Sequence, residues 1–224
     1  MKKALFVFAT RLELQGLFPN QISESELAVN KLIDLPVCNA KGACLGVGCT
    51  EFAAKLAGLL SECVQKNQIP SVVILLGICG AYPQSGIQVG EVVRVVSETV
   101  GDLGYQDADG TFSSWANRCS YESSVQIQDK SSLPAGVLLS LEKIRQVRGL
   151  SVNCCTGTAE TAKNRFETFG CAVESMEGAA LFSICNAFGI PSLEIRAVSN
   201  IASTRDKSLW RISYALEKLR LLFT

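Results

Sequence analysis

The chain of 224 residues contains no histidine. This absence excludes Ser-His and Cys-His nucleophilic catalysis, and it excludes zinc sites built on imidazole. Proton transfer in an active site must therefore fall to carboxylates, lysines, tyrosines or the substrate itself. The ten cysteines include no C-x-x-C pair, so we predict small, reduced core residues rather than metal or redox ligands. We accordingly predict that the protein needs no metal and no organic cofactor.

Net charge and long apolar runs are also missing. The 21 basic and 21 acidic residues balance, which argues against a nucleic-acid footprint or a polybasic membrane patch. Lys2 and Lys3 precede the apolar run Ala4–Ala9, but a run of about six residues is too short for a signal peptide. No other stretch is long enough to span a bilayer. We therefore predict a cytoplasmic protein that binds neither nucleic acid nor membranes.

Strand-like and helix-like segments alternate along the chain. Unbroken apolar runs predict buried strands, and apolar residues at helical spacing predict helices. The predicted strands are 5–10, one or two strands in 37–49 with a turn near Lys41-Gly42, 71–76, 91–98, 150–155, 172–174 and 192–198. The predicted helices are 50–68, 159–169, 178–188 and 207–222. This alternation predicts the α/β class, with one layered α/β/α domain over residues 1–224.

Two stretches near the C-terminus combine apolar strands with polar ends. The first is Val173–Ala180 (VESMEGAA) and the second is Leu193–Asn200 (LEIRAVSN). In a parallel α/β sheet, both polar ends open on the edge where ligands bind. A carboxylate, an arginine, a serine and an asparagine are therefore predicted to converge on one pocket.

These residues resemble the purine nucleoside phosphorylase and nucleosidase superfamily. In that superfamily Met-Glu grips the ribose and Arg-Ala-x-Ser-Asp/Asn grips the base, which matches Met176-Glu177 and the segment Arg196–Asn200. The continuation Ser203–Ile212 is most similar to the futalosine hydrolase branch, close to the methylthioadenosine/adenosylhomocysteine nucleosidases. The resemblance implies a single three-layer domain with a central mixed, twisted sheet. It also implies a homodimer, in which the segment Gly101–Ser114 covers the pocket of the neighbouring subunit.

The resemblance places Glu177 and Met176 at the ribose. A carboxylate accepts hydrogen bonds from two vicinal hydroxyls, and its charge favours a cationic sugar, while the thioether lies under the sugar face. The alternative for Glu177 is an exposed acidic residue at a helix N-terminus. Relatives read Glu-Met-Glu, so either Glu174 keeps the place of the earlier carboxylate or Ser175 replaces it.

Asn200 is the position expected to read the purine. Relatives that act on adenine nucleosides carry an aspartic acid there, whereas an amide presents a donor and an acceptor side by side, which suits a 6-oxopurine. Ser199 is expected to orient Asn200 or the base edge. Arg196 is expected either to pair with a carboxylate of the pocket or to tie down the strand end. The alternative for Asn200 is a turn residue after a strand.

Glu13 is the predicted water-activating residue. The resemblance places it at the end of the first strand, where a carboxylate repels phosphate and can orient a water molecule toward C1′. The sequence therefore favours hydrolysis over phosphorolysis, although Arg11 leaves anion binding open. The alternative for Glu13 is a solvated glutamate in the first turn of a helix after Thr10.

Other substrate contacts are expected from three further segments of the chain. They are Ile78, Cys79, Gly80, Glu160, Thr161 and Trp210. The first three belong to a glycine-containing stretch after a strand, where the backbone can approach a ligand. The next two lie where relatives line the purine plane, without the usual aromatic. Trp210 either covers the 5′ substituent or belongs to an apolar face of the last helix.

The resemblance implies an N-glycosidase that hydrolyses a 5′-modified purine nucleoside. The first candidate is cleavage of futalosine to hypoxanthine and dehypoxanthine futalosine in menaquinone biosynthesis. A methylthioadenosine/adenosylhomocysteine or aminofutalosine nucleosidase is one alternative, for which Asn200 is the obstacle. A purine nucleoside phosphorylase, which would require phosphate, is another. A catalytically inactive nucleoside-binding protein is the last, and the joint presence of Glu13, Glu177 and a base-facing amide argues against it.

Overall fold

The computed structural model describes residues 3–19, 32–35, 40–116, 119–123, 133, 135–141 and 143–223. The strands are β1 (Ala4–Phe8), β2 (Ile33–Asp34), β3 (Lys41–Cys44), β4 (Val72–Ala81), β5 (Val92–Val100), β6 (Gly104–Gln106), β7 (Phe112–Ser114), β8 (Ser120–Glu122), β9 (Arg145–Ser151), β10 (Val173–Ser175) and β11 (Ser192–Ile201). The α-helices are α1 (Arg11–Leu17), α2 (Cys49–Gln65), α3 (Ala135–Leu141), α4 (Ala159–Phe169), α5 (Gly178–Phe188) and α6 (Ile212–Arg220). Short 3₁₀ helices occupy Pro83–Ser85, Lys207–Leu209 and Leu221–Phe223. Within these ranges no helix is long and apolar enough to cross a membrane.

Nine of the strands form one mixed sheet. Its order is β10-β9-β5-β11-β4-β1-β3-β2, with β8 added beside β5. The pairs β1–β3, β1–β4, β4–β11, β5–β9 and β9–β10 are parallel, whereas β11 runs antiparallel to β5. β10 also pairs antiparallel with the end of β4, through Val173–Ala81 and Glu174–Gly80. This second pairing joins β10 to β4 and curls one side of the sheet around the polar strand ends.

Helices cover both faces of the sheet, as alternation along β1 shows. Phe6 and Phe8 pack with residues of α1 and α6, including Leu14 and Leu216. Val7 points to the other face, into a cluster that contains residues of α2 and α5. The three-layer α/β/α arrangement with a central mixed sheet is therefore confirmed.

Several predicted element bounds were wrong, and each error has a physical cause. The turn predicted near Lys41-Gly42 lies inside β3, and the strand predicted at 150–155 is β9, which begins at Arg145 and ends at Ser151. Three of the first four residues of β9, namely Arg145, Gln146 and Arg148, are exposed and polar, so the start of the strand does not show as an apolar run. The predicted final helix is divided into a 3₁₀ turn, α6 and a second 3₁₀ turn.

The strand predicted to stop at residue 76 continues through Ala81 as part of β4. Gly77 and Gly80 suggested a terminating loop, but they serve close packing within the strand. A Cβ on Gly77 would collide with Glu13 Oε1 and lie 2.7 Å from Arg196 Nη1. Glycine therefore lets two charged side chains approach the strand at the site described below.

Candidate active site

A cavity of about 390 Å³ lies at the polar strand ends. Its walls come from the segments that follow β1, β3 and β9, from β10 and the residues after it, from the last residues of β4 and β11, and from the turn before α6. The lining residues are Ala9, Thr10, Leu12, Glu13, Val47, Ile78, Cys79, Gly80, Cys155, Thr156, Glu174, Ser175, Met176, Glu177, Ser199, Asn200, Arg205, Trp210 and Ile212. Ten of the predicted site residues are in this lining, which makes it the candidate active site.

Glu13 lies in the first turn of α1, not at the end of β1, and it is buried rather than solvated. Thr10 caps the helix in a capping box, in which its backbone N–H and its hydroxyl both donate to Glu13 Oε2 at 2.9 Å. The backbone N–H of Ile78 donates to the other oxygen, Oε1, at 3.1 Å. The cap therefore fixes the carboxylate in the cavity wall.

Glu177 follows β10 and occupies the N-cap position of α5. Its Oε1 accepts from the backbone N–H of Gly48 at 3.0 Å, and its Oε2 pairs with Arg196 Nη2 at 3.3 Å. Glu177 is 4% exposed, so the interpretation as an exposed residue at a helix N-terminus is wrong. Met176 and Ser175 precede it in the lining, and the hydroxyl of Ser175 accepts from Arg196 Nη2 at 3.4 Å.

Arg196, on β11, lies behind the cavity wall rather than in the lining, and only 1% of it is exposed. Its Nε donates to Glu194 Oε1 at 2.8 Å, and its Nη1 lies 4.0 Å from Glu13 Oε1. With the Glu177 pair, one guanidinium thus faces three carboxylates. Two roles were predicted for Arg196, pairing with a carboxylate of the pocket or tying down the strand end. The observed contacts agree with the pairing role.

The electrostatics of this cluster raise the pKa values of Glu13 and Arg196. Burial raises the pKa of Glu13, and although Arg196 opposes that shift, the nearby charge of Glu177 adds to it. Burial alone would lower the pKa of Arg196, but the charges of Glu194, Glu177 and Glu13 overcome this effect and raise it. Arg196 therefore stays charged, and Glu13 is a stronger base than an ordinary surface glutamate.

Asn200 lies near the end of β11 and also lines the cavity. A register shift between Val198 and Asn200 interrupts the pairing with β4, and such bulges redirect side chains. Ser199 Oγ lies 2.8 Å from Asn200 Oδ1 and 3.2 Å from the carbonyl oxygen of Cys79, and Asn200 Nδ2 donates to the carbonyl of Ile201 at 3.3 Å. This geometry agrees with the predicted orienting role of Ser199. Asn200 is half-buried and keeps one amide hydrogen and one acceptor lone pair free of these bonds.

Glu174 and Ser175 both line the cavity, so both predicted alternatives for the place of the relatives' earlier carboxylate stay open. The Glu174 carboxylate accepts several hydrogen bonds from the protein. The backbone N–H of Thr156 donates to Glu174 Oε1 at 2.9 Å, and the Thr156 hydroxyl donates to Glu174 Oε2 at 2.6 Å. The Tyr82 hydroxyl donates at 2.8 Å, and Arg165 Nη1 lies at 3.3 Å. These contacts give Glu174 a structural connection between β10 and α4.

The structure does not bring Glu160 and Thr161 to the cavity. Thr158 caps α4 by accepting from the backbone N–H of Thr161 at 3.1 Å, and the first turn then leads away from the cavity. Glu160 is exposed. Cys155 and Thr156, which the sequence analysis did not select, line the cavity instead. Thr158 is a typical N-cap residue, so the sequence could have shown that α4 begins here and that Cys155 and Thr156 lie in the loop before it.

Trp210 lies between the 3₁₀ turn Lys207–Leu209 and α6, and it lines the cavity. It therefore does not belong to an apolar face of the last helix. The guanidinium carbon of Arg205, another lining residue that the sequence analysis missed, lies 5.4 Å from the ring centroid. The buried Nε1 of Trp210 has no hydrogen-bond partner among the described residues.

Arg205, Val47 and Leu12 reach the cavity from loops and a helix turn, and no local motif marks them.

Comparison with known protein families identifies the family of this chain. The model of a family described as the phosphorylase superfamily matches residues 43–220. The chain belongs to the phosphorylase superfamily. Its match to that family covers most of the sheet and every cavity segment except the β1–α1 end, which contributes Glu13.

Curated relatives and solved structures agree with this membership. A futalosine hydrolase of Thermus thermophilus is 30% identical over 177 residues, covering 78% of this chain and 75% of that protein. A futalosine hydrolase of Streptomyces coelicolor is 31% identical over 179 residues, covering 78% and 72%. In fold, the chain is similar to a Helicobacter pylori futalosine hydrolase mutant (TM-score 0.69, 15% identity, 99% and 98% covered). It is also similar to a Neisseria meningitidis methylthioadenosine/adenosylhomocysteine nucleosidase in complex with methylthio-immucillin-A (TM-score 0.72, 18% identity, 99% and 96% covered).

Proposed function

We propose that this protein hydrolyses the N-glycosidic bond of a 5′-modified purine nucleoside, with futalosine as the substrate. The observation that carries the proposal is one cavity in which Glu13 and Glu177 share a single arginine and face Asn200. The two curated relatives named futalosine hydrolase support this choice of substrate. The products would be hypoxanthine and dehypoxanthine futalosine.

Glu177 is the proposed ribose ligand. Each of its oxygens takes one hydrogen bond from the protein, from Gly48 or from Arg196, and keeps a lone pair for a ribose hydroxyl. As the glycosidic bond breaks, positive charge develops on the sugar. The buried carboxylates of Glu177 and Glu13 stabilise that charge in a site of low dielectric constant.

Glu13 is the proposed general base. Its Oε2 accepts two bonds from Thr10, whereas Oε1 accepts one from Ile78 and keeps a lone pair for water. The water oxygen bonds to C1′, a water proton passes to Glu13, and the electrons of the C1′–N9 bond leave with the purine. The purine leaves as neutral hypoxanthine after taking up a solvent proton at N7.

Asn200 is the proposed purine reader. Its free amide hydrogen can donate to O6, and the remaining lone pair of Oδ1 can accept from a protonated N7. An adenine nucleoside would present an amino group where the Asn200 amide also donates. The preference is therefore for a 6-oxopurine, and methylthioadenosine or aminofutalosine becomes the weaker alternative.

The test is product analysis with futalosine, aminofutalosine, methylthioadenosine and inosine, each with and without inorganic phosphate. We expect futalosine to be cleaved fastest, at a rate independent of phosphate, with free hypoxanthine as the base product. Faster cleavage of a 6-aminopurine nucleoside would assign the protein to the alternative nucleosidase class. Tight binding of futalosine without cleavage would identify a binding protein.

We further propose that the protein works as a homodimer. The segment Gly101–Ser114 contains the two-stranded sheet of β6 and β7 and, with its neighbour Trp115, carries large apolar side chains that are 42–51% exposed. These side chains are Leu103, Tyr105, Phe112 and Trp115. Such a patch is typical of an interface. Two apolar residues at the cavity, Leu12 and Val47, are about half exposed, so a partner segment would complete that wall.

Sedimentation of the purified protein tests the dimer. We expect a dimer whose dissociation by Phe112→Ser and Tyr105→Ser lowers activity together with dimer content. Fully active monomers would contradict the proposal. Asp109→Ser, at the exposed turn of the same segment, provides a control that alters a polar residue.

The cysteines support a cytoplasmic location. The nine cysteines in the described ranges all carry free thiols, and six of them are buried. Free thiols persist in reducing compartments, whereas secreted proteins form disulfides. A fluorescent fusion that accumulates outside the cytoplasm of its native host would contradict this assignment.

A further inference from the structure

A second pair of carboxyl groups lies behind the active site, and the mechanism above does not use it. Glu98 on β5 and Glu194 on β11 each have 0% exposure, and neither lines the cavity. The two strands are antiparallel neighbours in the sheet. Glu194 is the residue that holds Arg196, so this pair is connected directly to the active-site charges.

One oxygen of the Glu98 carboxyl group and one oxygen of the Glu194 carboxyl group each accept a hydrogen bond at 2.8 Å. The hydroxyl of Ser151 donates to Glu98 Oε2 at 2.8 Å, and the same hydroxyl accepts from the backbone N–H of Ala179 at 2.8 Å. The Ser151 proton is therefore committed to Glu98. On the other carboxyl group, Glu194 Oε1 accepts from Arg196 Nε at 2.8 Å.

The remaining oxygen of Glu98 and the remaining oxygen of Glu194 both lie against Gly178. Glu98 Oε1 and Glu194 Oε2 are both buried without a hydrogen-bond partner in the described part of the chain. A Cβ on Gly178 would collide with both of them, and a Cβ on Gly149 would collide with Glu98 Oε1. Two glycines thus leave room for the carboxyl groups to meet.

Two buried carboxylates this close would repel each other strongly, whereas one proton between them removes the repulsion and satisfies both oxygens. Arg196 lies against Glu194, so Glu194 is the group that stays ionised. Burial, followed by the charge of Glu194, raises the pKa of Glu98 well above its ordinary value. Glu98 is then the group that carries the proton.

We propose that Glu98 is a positioning residue: as a neutral acid, it donates its proton to Glu194 Oε2 and holds Glu194 in place against Arg196. Arg196 in turn spans Glu177 and Glu13, so the position of the guanidinium sets the geometry of both. This inference rests on the proposed hydrolase function. Loss of the Glu98 proton at high pH would add a buried negative charge and displace the arginine, which lowers turnover.

The other groups that face Glu98 do not titrate within the range of the test. Beyond Glu194 and Arg196 on β11, they are Ser151 on β9 and the thiols of Cys49, Cys79 and Cys171. Burial raises the pKa of Cys49 to about 11 and that of Cys171 to about 12. Burial also raises the pKa of Cys79, although Arg196 opposes that shift. An alkaline fall in turnover below pH about 10 would therefore report on the carboxyl pair rather than on these thiols.

The experiment compares Glu98→Gln with Glu98→Leu. A glutamine amide can donate to Glu194 Oε2 and accept from Ser151, so kcat should stay within about threefold of the wild-type value. It has no proton to lose, so the alkaline fall should disappear. Leucine offers neither contact, so kcat should fall roughly 10- to 100-fold, and KM should rise as well because Arg196 also positions Glu177. Glu122→Gln, on the exposed face of the adjacent β8, is the matched control.

A spectroscopic reading keeps the proposal testable if the leucine variant fails to fold or if no nucleoside is cleaved. Infrared difference spectra of the wild-type protein should show a buried protonated carboxyl band that Glu98→Gln removes and Glu122→Gln does not. An absent band, a glutamine variant as slow as a correctly folded leucine variant, or an unchanged alkaline limb would each overturn the proposal. Failure of futalosine cleavage with the band present would count against the proposed function alone.

Discussion

The proposed ribose end of the cavity, at Glu13 and Glu177, and its proposed purine end, at Asn200, are built with different degrees of constraint. At the ribose end, Glu13 and Glu177 are each 4% exposed, accept backbone hydrogen bonds from Ile78 and Gly48, and share one buried arginine. At the purine end, Asn200 is half-buried and is held by the Ser199 hydroxyl and the carbonyl of Ile201. Charge and helix caps fix the first end, whereas a strand bulge and one hydroxyl orient the second.

This difference assigns the two ends to different tasks. A fixed carboxylate pair suits the chemistry at C1′, because misplacing either charge removes stabilisation of the transition state. A single amide at a bulge suits recognition, because its replacement alters hydrogen bonding without disturbing the core. Changes at the ribose end should therefore lower turnover, and changes at the purine end should shift substrate preference.

Glu13→Gln should have the largest effect of any single substitution. The amide is nearly isosteric but cannot take a proton from water, so we expect kcat to fall about 10²–10⁴-fold with futalosine affinity nearly intact. Single-turnover rates and equilibrium binding measure the two parts separately. Glu62→Gln, on the exposed face of α2, is the matched control. A wild-type rate in Glu13→Gln would exclude a general-base role.

Glu177→Gln should impair both binding and turnover. Ribose is held in the ground state and in the transition state, so the ligand affinity and kcat should each fall about tenfold or more. Steady-state kinetics with a parallel binding measurement check this. A loss confined to kcat would show that Glu177 acts only on the developing charge, and the contrast with Glu13 would then disappear.

Asn200→Asp tests the purine end. An ionised aspartate repels O6 but accepts from a 6-amino group, so futalosine cleavage should weaken by about tenfold to a hundredfold while aminofutalosine cleavage improves. The ratio of the two kcat/KM values is the measurement. Asn186→Asp, on an exposed position of α5, should leave the ratio unchanged. Equal losses on both substrates would indicate a structural turn residue instead.

The acid limb of the pH profile gives the smallest and most gradual effect. Burial, with the charge of Glu177 adding to it and Arg196 opposing it, raises the pKa of Glu13, and the base must be ionised to act. Activity should therefore be lost as pH falls through a midpoint above the ordinary glutamate pKa of about 4.3. In Glu13→Gln the residual rate should lack this limb, whereas retention of the limb would assign it to another group.

The order of the elements followed from sequence periodicity. The predicted helices at 159–169 and 178–188 agree with α4 and α5, because capping residues and apolar spacing mark their ends. Glycines misled the prediction for β4, since they serve close packing with Glu13 and Arg196 rather than a turn. The start of β9 was hidden because Arg145, Gln146 and Arg148 are exposed polar residues, which interrupt the apolar pattern.

Sequence reasoning named many of the side chains that line the cavity, but it did not predict how caps and strand register place them. Met176, Glu177, Ser199 and Asn200 all line the cavity, but the expected reason, parallel strands with their carboxyl ends at one edge, is wrong. β11 runs parallel to β4, whereas β10 runs antiparallel to it. The antiparallel pairing of Glu174 with Gly80 places the end of β10 beside the end of β4. Glu160 turns away with the first turn of α4. The meeting of Glu98 with Glu194 depends on the antiparallel register of β5 and β11, which residue order alone does not determine.

The central claim is that Glu13 directs water, rather than phosphate, to C1′ of futalosine. The direct test is the rate of futalosine cleavage in phosphate-free buffer and in added phosphate, with the sugar product identified in each case. We predict equal rates, release of hypoxanthine and a free sugar in both. A rate that depends on phosphate, with a sugar 1-phosphate as product, would contradict the account.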